Sequence, residues 1–141
     1  MEKNCKFKVG QICYSAVIQV GSDVNYNEAD DICKKRNADI GLIRDEKSYN
    51  AIVNYLRRNI PKGEVLIRIW TGIHFDSMTR EVTPANSFTK WHPDFLPSGT
   101  KYEDRTNVYL FVDSDPNYRY QGMVNAPPTW EYNGVICEIL I

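Results

Sequence analysis

Four cysteines constrain this chain more than any other feature. Cys33 falls in an amphipathic segment near the start. Cys137 sits close to the end, in the apolar run Gly134-Val135-Ile136-Cys137-Glu138-Ile139, and Cys5 and Cys13 form a local pair around Lys6-Phe7-Lys8-Val9-Gly10-Gln11-Ile12. An even count, with one short spacing and one nearly end-to-end spacing, reads as two disulfides made in an oxidising compartment. Four cysteines allow three pairings, and the spacing favours Cys5–Cys13 with Cys33–Cys137. Everything between Cys33 and Cys137 would then be a closed loop, worth roughly 4–5 kcal/mol in the chain-entropy model. Reduced cysteines buried as small hydrophobes are the bland alternative. Zinc is disfavoured because no C-x-x-C or H-x-x-x-H spacing exists.

The 141 residues fit one domain, residues 1–141 with a core of about 5–139, long enough to bury a core without further staples. Net charge is -1 and no basic run exceeds Lys34-Lys35-Arg36, which a helix C-terminus explains, so nucleic acid is not an expected partner. There is no apolar stretch of membrane-spanning length. Met1-Glu2-Lys3-Asn4 runs straight into the first cysteine without a leader, which reads as an excised ectodomain or mature fragment with Met1 added as a start. No Asn-x-Ser/Thr sequon is present.

Phe7 to Val20 alternates like a strand, broken at Gly10. Asn25-Tyr26-Asn27-Glu28 is a helix cap with an acid three positions on; acids fill the first turn and Lys34, Lys35 and Arg36 the last. A second helix starts near Asp45, with Tyr49, Ile52, Val53, Leu56 and Ile60 at helical spacing, and stops at Pro61-Lys62-Gly63. Val65 to Ile73 reads as a strand. Residues 74–106 form a long irregular stretch whose aromatics Phe88, Trp91, Phe95 and Tyr102 argue for order. Asn107 to Val112 is a strand, Asp113 to Asn117 a turn, Tyr118 to Val124 a returning strand and Trp130 to Ile139 the closing strand. The order predicts an α+β domain: two helices, small antiparallel sheets and one large loop.

This pattern resembles the C-type lectin-like domain over residues 5–139. Asn25-Tyr26-Asn27-Glu28-Ala29 followed by Cys33 is similar to the family's first helix, and Ala38-Asp39-Ile40-Gly41-Leu42-Ile43 to its A-x-L-x-x-I. Trp70-Thr71-Gly72-Ile73 stands where the family has W-I-G-L, Thr89-Lys90-Trp91 resembles its core tryptophan, and Val135-Ile136-Cys137-Glu138 its terminal F-I-C-E. Cys5 and Cys13 resemble the extra N-terminal hairpin of the long form. Two departures matter. The family's loop-pinning disulfide would fall near Val108 and Pro127 or Pro128, and none is cysteine. Its calcium and sugar motifs, E-P-N or Q-P-D and then W-N-D, are replaced by Phe95-Leu96-Pro97-Ser98 and Val124-Asn125-Ala126. Calcium needs six to eight oxygens, several of them carboxylate, so no metal and no cofactor is expected.

The conspicuous residues then sort by chemistry. Trp70 and Trp91 are read as core. Asp113-Ser114-Asp115-Pro116-Asn117 is a hairpin turn rather than a calcium loop. His74 and His92 are expected on the loop surface, and Glu103 and Asp104 in solvent. The exposed set of the long-loop side is Phe75, Met78, His92, Phe95, Tyr102, Tyr118, Arg119, Tyr120 and Met123, rich in the types that anchor protein interfaces. The expected ligand-binding residues are Phe95, Tyr118, Arg119 and Tyr120, with Trp91, Tyr102 and Met123. The helix-two surface at Lys47, Asn54 and Arg58 is the rival face. No nucleophile, base and orienting group can be assembled, so an enzyme is not expected. The leading expectation is an extracellular, calcium-independent recognition domain for a protein partner, from a receptor, adhesion molecule or secreted factor. The alternative is a lectin with a non-standard or metal-free sugar site, where Trp91, Trp130 and the tyrosines could stack on carbohydrate.

Overall fold

Cap chemistry fixes where both helices begin. The structure, a computed structural model, describes residues 5–94 and 98–141. The Asn25 side chain accepts from the Glu28 N–H and the Glu28 carboxylate accepts from the Asn25 N–H, both at 2.9 Å. This reciprocal cap opens α1 (Tyr26–Lys34), which buries Ala29 and Cys33 one turn apart. Asp45 caps α2 (Glu46–Arg58) by accepting from the Ser48 N–H at 2.7 Å, a bond that holds its carboxyl below the usual range. Helix α2 buries Tyr49, Ile52, Val53 and Leu56 on one face, as the spacing predicts.

The strands are β1 (Phe7–Val9), β2 (Ile12–Ile18), β3 (Asp39–Ile40), β4 (Leu66–Phe75), β5 (Val82–Thr83), β6 (Asn107–Asp113), β7 (Gly122–Ala126) and β8 (Gly134–Leu140). They form one mixed sheet in the order β1-β2-β8-β4-β6-β7, with β3 added on β8 and β5 on β4. The last strand therefore lies inside the sheet. It pairs antiparallel with β2 from Ile12↔Leu140 to Ile18↔Gly134, and parallel with β4 at Ile69 and Trp70. Cys33 on α1 is bridged to Cys137 on β8, and Cys5 to Cys13 across the first hairpin, which is the pairing the spacing favours.

Period-two alternation sends neighbouring residues to opposite faces of this sheet. Ile67, Ile69, Leu110 and Ile136 join the cluster under α2, whereas Trp70, Tyr109, Val135 and Cys137 join the cluster under α1. Trp70 is fully buried, donates its indole N–H to the Val24 carbonyl at 2.9 Å and packs against Tyr26, Tyr109 and Tyr132. Strand β4 is bulged between Trp70 and His74. There the Thr71 hydroxyl donates to the Val108 carbonyl at 2.8 Å and accepts from the Ile73 N–H at 3.2 Å, satisfying backbone that the bulge leaves unpaired. A second internal tie joins the segment between β3 and α2 to the last strand. Arg44 grips Glu138 with two nitrogens, at 3.0 and 2.6 Å, while the same carboxylate accepts from the Leu42 N–H at 2.7 Å.

Two boundaries differ from the expectation by more than two residues. The closing strand starts at Gly134, not Trp130. The returning strand starts at Gly122, and Tyr118 to Gln121 belong to the preceding turn. Gln121 explains the second difference. Its amide nitrogen donates to the Tyr118 carbonyl at 2.7 Å and to the Asp115 carbonyl at 3.1 Å, and its amide oxygen accepts from the Asp113 N–H at 2.9 Å. The side chain thus satisfies the turn that a strand would have left open. Gly122 follows with φ of 133°, where a Cβ would lie 2.9 Å from the Lys90 carbonyl.

Candidate functional site

The long segment between β4 and β6 is held to the core by backbone and ring contacts. The Phe88 N–H donates to the Ile43 carbonyl at 2.9 Å and its ring packs on Tyr49. Trp91 bridges to Met123 on β7: the His92 N–H donates to the Met123 carbonyl at 2.9 Å, and the Met123 N–H to the Lys90 carbonyl at 2.8 Å. The Trp91 ring stands edge-on to Phe75 at 5.3 Å. Residues 90–92 thus act as a short extra strand beside β7.

This pairing builds a row of rings from the surface inward. Tyr118 is 44% exposed and meets Tyr120 edge-on at 5.7 Å. Tyr120 leans on His92 at 6.1 Å, and His92 stands edge-on to Phe111 at 5.3 Å. The Arg119 guanidinium caps the outer end, 4.8 Å from the Tyr120 centroid. Beside this shelf runs a groove of about 510 Å³, whose other wall is α2. Asn50, Asn54 and Arg57 line it from the helix, Lys90 from the loop, and Pro116 to Arg119 from the turn. Arg57 is fixed there, donating to the Asp113 carbonyl at 2.9 Å and to the Gln121 amide oxygen at 3.1 Å. Tyr49 forms part of the floor; burial pushes its phenol up to about 12, against the opposing pull of Arg57, so it carries no charge at neutral pH.

The structure brings Tyr118, Arg119 and Tyr120 together and sets Trp91, half-buried, on the adjoining segment. Three expectations are corrected. Met123 is fully buried, because it is paired against the 90–92 segment, and offers no surface to a ligand. Phe75 is 3% exposed, under Trp91, and His92 is 5% exposed, wedged between Phe111 and Tyr120. Tyr102 packs instead on Arg105, whose guanidinium lies 4.8 Å from Tyr102 and 5.1 Å from the Trp130 ring. Phe95 lies outside the described residues. Sequence reasoning missed the wall that α2 supplies. Asn54, assigned to a rival face, shares the groove with Tyr118. The polar stripe Asn50, Asn54, Arg57 at helical spacing was the available signal.

Of the positions where the calcium motifs would supply ligands, Ser98 is exposed, while Asn125 is buried and donates to the Arg105 carbonyl at 3.5 Å. Ala126 is buried and has no polar side chain. Among the described residues no three His, Cys, Asp or Glu side chains converge. No family model matches the chain, and no curated protein matches it. Solved structures do. A complex of SPL-1 with GlcNAc aligns at a TM-score of 0.64 and 14% identity, over 98% of this chain and 96% of that one. The fold is C-type lectin-like. Human lithostathine aligns with this C-type lectin-like chain at 0.66 and 14% identity, covering 96% of this chain and 88% of its own. A calcium-independent type II antifreeze protein aligns at 0.62 and 11% identity, covering 95% and 90%. At such identities the likeness is one of fold. The shared scaffold is the sheet with its two helices; the groove and the aromatic shelf are built from this chain's own residues.

Proposed function

We propose that this C-type lectin-like domain recognises a protein partner through the long-loop face, outside the cell and without calcium. The observation that carries the reading is the Tyr118–Arg119–Tyr120 shelf: two tyrosines and an arginine, locked by mutual stacking and by Gln121, at the rim of an open groove. These are the residue types that dominate interface energetics, and here they are pre-ordered on a rigid turn. Two disulfides support an oxidising location. The solved calcium-independent antifreeze protein supports a metal-free use of this fold. Nothing in the groove assembles a nucleophile with a base, which supports a binding role.

A second reading, carbohydrate binding, is favoured by one feature. Half-buried Trp91 lines a separate depression of about 670 Å³ together with Asp76, Arg80, Glu81 and Thr89, a ring beside polar groups. The readings are separated by probing the domain on an array of extracellular protein domains and on a glycan array, each with calcium and with chelator. Binding to a protein domain that chelator leaves intact, and that Tyr118→Ala or Arg119→Ala weakens by about 1–3 kcal/mol, is expected. A glycan signal without binding to any protein domain, whether or not chelator abolishes it, or a calcium-dependent rise of several degrees in melting temperature, would overturn it.

A further inference from the structure

The groove between α2 and the 116–121 turn carries charge of one sign. Arg57, Lys90 and Arg119 line it, and no aspartate or glutamate does, in a chain whose net charge is -1. The ion pairs among the described residues are Lys34–Asp39, Lys35–Asp31 and Arg44–Glu138, so none of the three groove cations is neutralised by a carboxylate there. In the adjoining turn the Asp113 and Asp115 carboxylates each accept from a backbone N–H, of Asp115 and Asn117 respectively, at 2.9 Å. Two of the cations are held by rings: Lys90 Nζ lies 5.6 Å from the Tyr49 centroid and Arg119 lies over Tyr120. A ring positions a cation without cancelling its charge.

The shape narrows the ligand. Asn50 and Asn54 rise on successive turns of α2, a repeat of about 6 Å, close to the roughly 6.6 Å between like-facing residues of an extended peptide. Their amides can donate to and accept from a peptide backbone, while the cations meet alternate side chains. We infer that this groove is the docking site for an extended acidic peptide segment of the protein partner, its carboxylates received by Lys90, Arg119 and Arg57. The inference rests on the protein-recognition reading above and gives that partner a chemistry.

The test uses the intact domain and fluorescence anisotropy. The probes are a short labelled oligoglutamate peptide, an oligolysine peptide of equal length and a heparin oligosaccharide. Oligoglutamate should bind and oligolysine should not, with affinity falling steeply between about 20 and 200 mM salt. Lys90→Gln and Arg119→Gln, both at exposed positions, should each weaken binding by about tenfold, while Arg36→Gln, an equal charge change beyond the end of α1, should leave it unaltered. Equal weakening by Arg36→Gln, absence of oligoglutamate binding, or heparin binding through Lys90 and Arg119 in its place would each overturn the inference. The parent reading is scored separately, on the protein-domain array with Tyr118→Ala. Array binding that depends on Tyr118, without oligoglutamate binding, overturns the acidic groove alone. Oligoglutamate binding that depends on Lys90, with array binding indifferent to Tyr118, overturns the parent reading alone.

Discussion

Removing the two disulfides one at a time should destabilise the domain very unequally. Cys33 and Cys137 are 104 positions apart and Cys5 and Cys13 only 8. In the chain-entropy model the long bridge is worth about 4.7 kcal/mol at 25 °C and the short one about 2.5 kcal/mol. Packing widens the gap: both cysteines of the long bridge are completely buried, between α1 and β8, whereas Cys5 is half-buried near the chain start. Paired alanine variants avoid unpaired thiols. Urea unfolding of Cys33→Ala/Cys137→Ala should show a stability loss of about 5–6 kcal/mol, about 4.7 from chain entropy and the rest from the lost sulfurs, together with a steeper denaturant dependence as the unfolded chain expands. Cys5→Ala/Cys13→Ala should lose about 2–3 kcal/mol with little change in slope. Equal losses, or a larger loss from the short bridge, would refute the claim that loop closure sets the difference.

Three other outcomes follow from the packing of the domain. Arg44→Ala should cost about 2–3 kcal/mol by chemical denaturation, below the roughly 3–5 expected for a fully buried pair, because the Arg44 side chain is 36% exposed while its partner Glu138 is 10% exposed. Burial holds the His92 imidazole below the ordinary histidine value, against Asp94 and a hydrogen bond with the Tyr120 backbone. Its contribution is therefore complete above about pH 6.5 and lost as pH falls through the depressed folded value. Melting temperatures between neutral pH and pH 5 should fall less for His92→Phe than for the parent. Finally, Gly134→Ala puts a Cβ 1.8 Å from the Val17 carbonyl oxygen, where β2 and β8 are paired. It should cost at least the ~1–3 kcal/mol of an overpacked site, read as lost soluble yield or a depressed unfolding midpoint.

Legibility tracked the range of the interactions involved. Caps, buried helical stripes and the cysteine bridges are encoded within a few residues or in residue type, and Asn25, Asp45, Ala29, Leu56 and Cys137 all stand where the sequence puts them. Trp70 was legible as core because a large ring in an apolar strand has few alternatives. The errors fall where a distant segment decides. Tyr118-Arg119-Tyr120 has aromatic, strand-prone composition, yet Gln121 folds back and makes a turn of it. Met123 and His92 were assigned to the surface because nothing nearby announces that residues 90–92 will pair with β7. Half of the candidate site was visible as Tyr118, Arg119 and Tyr120. The other half, Arg57 and Lys90, lies far away in sequence and becomes a site only when α2 and the loop meet.

That meeting also answers how a long loop stays in place without the cross-link found in the resembled family. Val108, at the position of one missing cysteine, is fully buried in the core under α2. At the other position the Pro128 carbonyl accepts from the Tyr26 N–H at 3.0 Å, tying the segment to α1. The loop is fastened at several separate points: Phe88 to Ile43, His92 and Lys90 to Met123, Gly99 to Ser77, and Phe75 to Thr106. A disulfide constrains one pair of positions, whereas these bonds fix the backbone on both sides of the shelf and share their packing with the main core. Gln121 holds the Tyr118 to Gln121 turn by bonds to its own backbone, which lowers the cost of ordering it when a partner binds. A loop held in this way shares its packing with the fold: a substitution that loosens Met123 from Trp91 should disturb the shelf, through His92 and Tyr120, without touching a residue that a partner would contact.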